Sequence, residues 1–182
     1  NVTMTVAQHN AFSSIAGTGS GQTITLSDAG TVSGDADIET YVLAAAGNST
    51  FTLGDAAQSV TTVGNGDDTI NVSTLTATGT FNTSAGDTIS LGNGANISGV
   101  NGEGDGTGAV LDATKLTLAS GASVTMTAAQ NNGFSSTITA DGSETITLSD
   151  ANNATGRSNI EAYVLADGDQ TFTLGAASQN VT

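Results

Sequence analysis

The chain has 182 residues with 17 Asp and Glu against 2 Lys and Arg, which gives a formal net charge of −15 at pH 7. A surface this acidic repels phosphate groups, so nucleic acid is excluded as a partner and anionic membrane surfaces are disfavoured. The sequence has no Cys, which excludes disulfides, thiolate metal sites and thiol nucleophiles. Its apolar runs are too short to span a bilayer, so we expect no membrane insertion.

Strand-like runs recur along the whole chain. Apolar residues alternate with Thr or Ser over three to five positions, and Gly, Asn, Asp and Ser stand between the runs. This period of two predicts half-buried strands joined by turns. Helical spacing with a cap is not evident, so we expect an almost entirely β chain. In chain order, the clearest predicted strands are residues 2–6, 23–26, 50–53, 88–91, 116–118, 145–148 and 171–174.

Internal repetition organises the sequence into three modules. Residues 2–47 recur from Val124 onward, and residues 50–61 recur as residues 171–182. The middle of the chain is a weaker relative of the same pattern. We therefore divide the chain into module A (residues 1–59), module B (residues 60–123) and module A′ (residues 124–182), with A′ a copy of residues 2–61.

Modules with so few large side chains need neighbours to form a core. The whole chain has 5 Phe, 2 Tyr and no Trp, and a small unit of this kind is marginal as a separate globule. Stacking of repeats on one another buries a narrow core instead. We predict an all-β repeat fold, with a parallel β-solenoid or β-roll favoured and antiparallel β-sandwich repeats as the alternative. We also expect the stack to continue, either as a longer chain or by docking on another copy.

One segment has the pattern of a calcium-binding nonapeptide. Gly64-Asn65-Gly66-Asp67-Asp68-Thr69-Ile70-Asn71 has glycines that permit a tight turn, an acid that supplies a hard oxygen ligand and an apolar residue that begins a strand. Here the chain resembles RTX-type repeats and, more broadly, the β-strand-repeat proteins of bacterial surfaces, S-layers and adhesins. The resemblance implies secretion and folding that depends on Ca²⁺.

The acidic excess favours cation binding independently, because uncompensated carboxylates destabilise a compact chain until cations neutralise them. Turns and segment insertions contain most of the candidate acids. The predicted calcium ligands are Asp67, Asp68, Asp87, Glu103, Asp105, Asp28, Asp150, Glu39 and Glu161. The alternative interpretation is that these acids form turns and keep the surface soluble.

Catalysis is not indicated. The single His, His9, corresponds to Asn131 in the repeat, and we expect it on the surface. Tyr41 and Tyr163 occupy matched places beside apolar residues, which favours strand packing over ligand stacking. The chain has neither the basic groups nor the aromatic platforms that a glycosidase cleft needs.

We therefore predict a secreted, non-catalytic, calcium-stabilised structural protein that self-assembles into a surface layer, a filament or an adhesin stalk. One alternative is a ligand-binding module for a surface glycan or for ice, since Thr-x-Thr steps recur on the predicted strands; their uneven spacing argues against alignment in adjacent rungs. A second alternative is the calcium-binding repeat region of a larger secreted enzyme.

Overall fold

The computed structural model describes residues 1–64, 67–102 and 111–182. Short strands and two six-residue helices make up its regular structure. In chain order these elements are β1 (Val2–Met4), α1 (Val6–Ala11), β2 (Thr23–Leu26), β3 (Thr31–Ser33), β4 (Thr40–Val42), β5 (Thr50–Thr52), β6 (Ser59–Thr61), β7 (Thr69–Val72), β8 (Thr80–Asn82), β9 (Thr88–Leu91), β10 (Asn101–Gly102), β11 (Lys115–Leu118), β12 (Ser123–Met126), α2 (Ala128–Gly133), β13 (Thr137–Thr139), β14 (Thr145–Leu148), β15 (Ala154–Thr155), β16 (Ala162–Val164), β17 (Phe172–Thr173) and β18 (Asn180–Val181).

The strands form a parallel β-solenoid of about 9 turns. One sheet has the order β1-β2-β4-β6-β8-β10, and a second has the order β13-β11-β9-β7-β5-β3. Two smaller sheets, β12-β14-β16-β18 and β15-β17, continue the stack. Strand pairs in the described residues are parallel, which confirms the favoured prediction and shows that the antiparallel sandwich alternative is wrong.

The core consists of inward columns in which one residue from each coil stacks on the next. In the second sheet, Phe51 pairs with Ile70, Ile70 with Ile89 and Ile89 with Leu116. Each of these side chains is at most 1% exposed. Because alternate residues point to opposite faces of a strand, their Thr and Ser neighbours lie outward. A single hydrophobic cluster continues through modules A, B and A′, as lateral stacking requires.

Two short helices are absent from the sequence prediction. α1 begins after Thr5, whose side-chain oxygen accepts the backbone N–H of Gln8, while the Gln8 side chain accepts the N–H of Thr5. α2 has the same capping box with Thr127 and Gln130. The Thr-x-x-Gln spacing was the signal, and it ends the first predicted strand at Met4 rather than at residue 6.

The module A′ coils do not continue the sheet that contains β10. Instead, β12 lies beside a single bridge residue of module B, since Asn96 pairs with both Thr76 and Thr125. The α2 helix lies on the turn that precedes β10, because the Gln130 side chain donates to the carbonyl oxygens of Ile97 and Val100. Between module B and module A′, the strands of the first sheet therefore end at β10 and a new sheet begins at β12.

Candidate functional site

A buried acidic column runs along the second sheet, formed by Ser49, Asp68 and Asp87. Each residue directly precedes a strand (β5, β7 or β9), and neighbours in the column are 19 residues apart. Asp68 is 1% exposed and Asp87 is fully buried. The repeat of strand and turn thus brings two of the predicted calcium ligands, Asp68 and Asp87, to the same place in successive coils.

Backbone and hydroxyl groups donate to three carboxylate oxygens of this column. Asp68 Oδ1 accepts the Ser49 N–H at 2.6 Å. Asp87 Oδ1 accepts the Asp68 N–H at 2.9 Å, and Asp87 Oδ2 accepts the Ser84 N–H at 2.7 Å and the Thr62 hydroxyl at 2.6 Å. Buried carboxylates need such donors, because an unpaired buried charge is costly. The carboxylates of the acidic column therefore connect successive coils by hydrogen bonds.

Burial raises the pKa of Asp68 above its ordinary value of 3.8. Hydrogen bonding from Ser49 opposes this shift, and the negative charges of Asp87 and Asp67 add to it. The folded state therefore favours the protonated form of Asp68 more than the unfolded state does. The contribution of this residue to stability is present below the unfolded pKa and is lost as the pH rises through the folded pKa.

The raised pKa of Asp68 is expected to increase the free energy of unfolding on acidification from about pH 7 to about pH 4, and Asp68→Asn is expected to reduce that increase. The Asn side chain keeps an acceptor for Ser49 and removes the charge beside Asp87. Denaturant titrations at several pH values measure the effect, with the exposed Asp169→Asn as the control for loss of one charge. Parallel pH profiles for the two variants would show that Asp68 is not the titrating group.

Asp28 and Asp150 occupy equivalent positions, one in each copy of the repeat. Asp28 Oδ1 accepts the Val6 N–H at 2.7 Å, and Asp150 Oδ1 accepts the Ala128 N–H at 2.7 Å. Each acid thus satisfies a free N–H group in the first turn of the helix one coil earlier. Asp therefore makes the same contact with a helix N-terminus in both copies of the repeat.

Glu39 and Glu161 are a second equivalent pair, but their surroundings differ. Glu39 Oε2 accepts the Gln22 N–H at 2.8 Å. Glu161 Oε2 is a buried atom without a hydrogen-bond partner among the described residues. At the position of Gln22, module A′ has Glu144, so two carboxylates replace a carboxylate and an amide.

Glu144 is a buried acid that the predicted ligand set omitted. It is fully buried, and its two oxygens accept the N–H groups of Gly121, Asp141, Gly142 and Ser143 at 3.0 to 3.3 Å. The sequence signal was the segment Asp141-Gly142-Ser143-Glu144-Thr145-Ile146, a partial match to the nonapeptide pattern. Glu144 therefore closes the turn at residues 141–143 and also binds the N–H of Gly121 in the preceding coil.

The remaining predicted ligands are Asp67, Glu103 and Asp105. Asp67 is exposed and forms an ion pair with Lys115 at 3.2 Å. Glu103 and Asp105 lie outside the described residues, as do two positions of the nonapeptide. Within the described ranges, no group of three or more His, Asp or Glu residues is placed to hold a metal ion. Calcium binding by this chain stays a prediction.

The expectation that His9 lies on the surface is wrong. His9 is 6% exposed, and its Nε2 lies 3.2 Å from the Tyr41 hydroxyl, which also accepts the Asp35 N–H. In module A′, the Tyr163 hydroxyl donates to Asn131 Oδ1. His and Asn therefore perform the same packing role. Burial of both tyrosines, at most 1% exposed, confirms their predicted place in strand packing.

Three glutamines clamp the turns of neighbouring coils. The Gln58 amide nitrogen donates to the carbonyl oxygens of Asp35 and Ile38, and the Gln58 side-chain oxygen accepts the N–H groups of Gly54 and Asp55. Gln179 makes the same four contacts in module A′. Gln130 uses the same two-carbonyl contact on module B. Sequence periodicity does not reveal these clamps because Gln is unremarkable in a polar turn.

Outward Thr residues align in register across the second sheet. Thr31 pairs with Thr50, Thr50 with Thr69 and Thr69 with Thr88. These four residues are 19 residues apart along the chain, and this constant repeat length keeps one Thr column in adjacent rungs. The Thr-x-Thr pairs do not stack as pairs in this sheet, because the second position is occupied in turn by Ser33, Thr52, Asn71 and Ser90.

Neither helix is long: among the described residues, none has the length and apolar character needed to cross a membrane. No known protein family, curated protein or solved structure matches the chain.

Proposed function

We propose that this chain is a non-catalytic structural element of a secreted or cell-surface assembly, in which coils stack end to end and Ca²⁺ neutralises the excess of carboxylates. The observation that carries the proposal is the contrast between two copies of one coil. Val2 is 55% exposed and Phe12 is 59% exposed, whereas their counterparts Val124 and Phe134 are 1% exposed. Large apolar side chains exposed together mark contact surfaces.

The opposite end of the solenoid supports the same proposal. Leu174 is 52% exposed, while its counterpart Leu53 is 5% exposed. Both end coils also leave strand edges that can pair with further strands. The contact at each end is heterologous, so repeated stacking produces an open filament rather than a closed ring.

Self-association tests this proposal. The protein is expected to sediment as concentration-dependent oligomers, and Phe12→Asp is expected to return it to a monomer because a charge in the contact cannot be desolvated without a partner. Phe12 is already exposed, so the variant should fold; Asp112→Ala, at an exposed position of module B, is the control for a change away from both end coils. A wild-type protein that remains monomeric at every concentration would rule out assembly through the end coils.

Calcium dependence is measured separately. The net charge of −15 favours cation binding, and a bound ion stabilises the folded state by about 2.7 kcal/mol when its free concentration is 100 times the dissociation constant. The melting temperature is expected to rise in CaCl₂ and to fall back to its calcium-free value when EGTA is added. Equal melting temperatures in the two solutions would remove calcium from the proposal while leaving stacking intact.

The aligned Thr residues support a second candidate, binding of ice or ordered water. Thr31, Thr50, Thr69 and Thr88 follow one another across parallel strands, whose spacing is about 4.8 Å. A regular hydroxyl array of this kind offers matched positions to a water lattice. Thermal hysteresis that falls when Thr69 is replaced by Lys would support this candidate, and its absence in the unaltered protein would exclude it.

A further inference from the structure

We infer that the N-terminal coil is a docking surface for the edge coil of another β-solenoid segment. The partner coil would contain a four-residue turn that ends in a β-branched residue, like residues 97–100 of module B. The inference rests on the proposed structural function and names the partner of one end. The N-terminal face, as we call this surface, surrounds a groove of about 360 Å³ and consists of Val2, Thr3, Met4, Gln8, Ala11 and Phe12.

The second copy of this coil shows what the N-terminal face accommodates. Met126 is fully buried, and Gln130 is 2% exposed. Their counterparts Met4 and Gln8 are half-buried and exposed, respectively. The local sequence and the capping box are nearly the same in both copies, so the difference comes from the module B coil that covers the second copy.

Backbone pairing provides the first part of that cover. The Thr125 N–H donates to the Ala95 carbonyl oxygen at 2.9 Å, and the Thr125 carbonyl oxygen accepts the Ile97 N–H at 2.9 Å. The Ser123 carbonyl oxygen accepts the Gly94 N–H at 2.8 Å. An extended segment with the chemistry of residues 94–97 therefore adds a strand beside this coil.

The corresponding backbone groups of Thr3 face the open end of the solenoid. The Met4 carbonyl oxygen accepts the Ser27 N–H, as the Met126 carbonyl oxygen accepts the Ser149 N–H. Consecutive residues of a strand direct their backbone groups to opposite sides. Thr3 thus presents its N–H and its carbonyl oxygen away from β2, in the direction that Thr125 uses to bind module B.

The turn clamp provides the second part of the cover and defines the partner. Each clamping Gln donates to the first and fourth carbonyl oxygens of a turn, and the fourth residue of that turn is buried and β-branched. These fourth residues are Ile38 for Gln58, Val100 for Gln130 and Ile160 for Gln179. Gln8 is the equivalent donor on the N-terminal face.

The C-terminal coil of a second copy, which end-to-end stacking of this chain brings to the same face, fits it less tightly than a module B type of coil. Its turn ends in Gln179, whose side-chain oxygen already accepts the N–H groups of Gly175 and Ala176. The position of Ala176 corresponds to that of Ile97, whose N–H must be available to pair with the docked strand. A module B type of turn leaves this N–H group available, which selects it over the turn at the C-terminal end.

The experiment adds a synthetic peptide of residues 88–102 to the 182-residue protein at a dilution where the protein is monomeric. We expect saturable binding by NMR, with slowed exchange of the Thr3 amide and shifts of the Gln8 side-chain amide. Gln8→Ala is expected to weaken binding about tenfold, equivalent to about 1.4 kcal/mol. The matched control is the same peptide with Val100→Gln, which should bind at least about tenfold more weakly.

Absence of saturable binding, or equal binding of the Val100→Gln peptide, would overturn the inference. Stronger binding of a peptide of residues 167–182 would also overturn it and would identify the C-terminal coil of a second copy as the partner. Sedimentation of the protein without peptide reports on the proposed function by itself. The two can therefore fail separately.

Discussion

Asp87→Ala is expected to lower the free energy of unfolding by about 3 kcal/mol. The substitution removes a fully buried carboxylate and leaves the Asp68 N–H and the Ser84 N–H without their acceptor, while the Thr62 hydroxyl keeps only its longer contact to the Asn82 carbonyl oxygen at 3.3 Å. Relief of the repulsion between Asp87 and Asp68 offsets part of this cost. Urea or guanidinium unfolding, with the slope of the transition checked for constancy, measures the change.

Two controls separate the structural role of Asp87 from a calcium role. The exposed Asp169→Ala should change the free energy of unfolding by no more than about 0.5 kcal/mol. The loss at Asp87 should be of similar size in CaCl₂ and in EGTA if the carboxylate acts as an acceptor for its three donors. A loss that appears only in CaCl₂ would instead identify Asp87 as a calcium ligand.

Gln58→Ala is expected to destabilise the protein by about 3 kcal/mol, and Gln179→Ala by about 1 kcal/mol or less. Both side chains make the same four hydrogen bonds to backbone groups. Gln58 is 1% exposed between two coils, so water cannot replace its contacts. Gln179 lies in the half-buried terminal coil, where water reaches the released groups.

This pair provides its own matched control, because chemistry and local sequence are shared and only the covering coil differs. Unfolding free energies from denaturant titration measure both variants. Equal losses at Gln58 and Gln179 would mean that module B does not cover the first clamp, contrary to the stacking order of the solenoid.

The fold class followed from the alternation of apolar residues with Thr and from the repeat, because both are local or periodic features of the sequence. Ile70, Ile89 and Leu116 are recognisable as inward residues from their strands alone. Their stacking into one column depends on how loops of unequal length fold, since Ile70 and Ile89 are 19 residues apart and Ile89 and Leu116 are 27 apart. The aligned Thr31, Thr50, Thr69 and Thr88 do recur every 19 residues, a period that the Thr-x-Thr steps by themselves do not reveal.

Candidate sites were harder to predict, since an acid in a Gly-rich turn has the same sequence pattern whether it binds an ion or a backbone N–H. Asp28, Asp68, Asp87 and Glu144 all accept N–H groups, in most cases from a neighbouring coil. His9 was misjudged for a related reason: its partner, the Tyr41 hydroxyl, is 32 residues away.

Amide hydrogen exchange at Thr3 and Thr125 tests the stacked solenoid most directly. Both residues lie in the sequence Val-Thr-Met-Thr, so their intrinsic exchange rates are similar. In dilute monomeric protein, Thr125 should exchange at least about a thousandfold more slowly than Thr3, because only Thr125 is paired with a neighbouring coil. Equal exchange rates at the two positions would contradict the stacking of module A′ on module B.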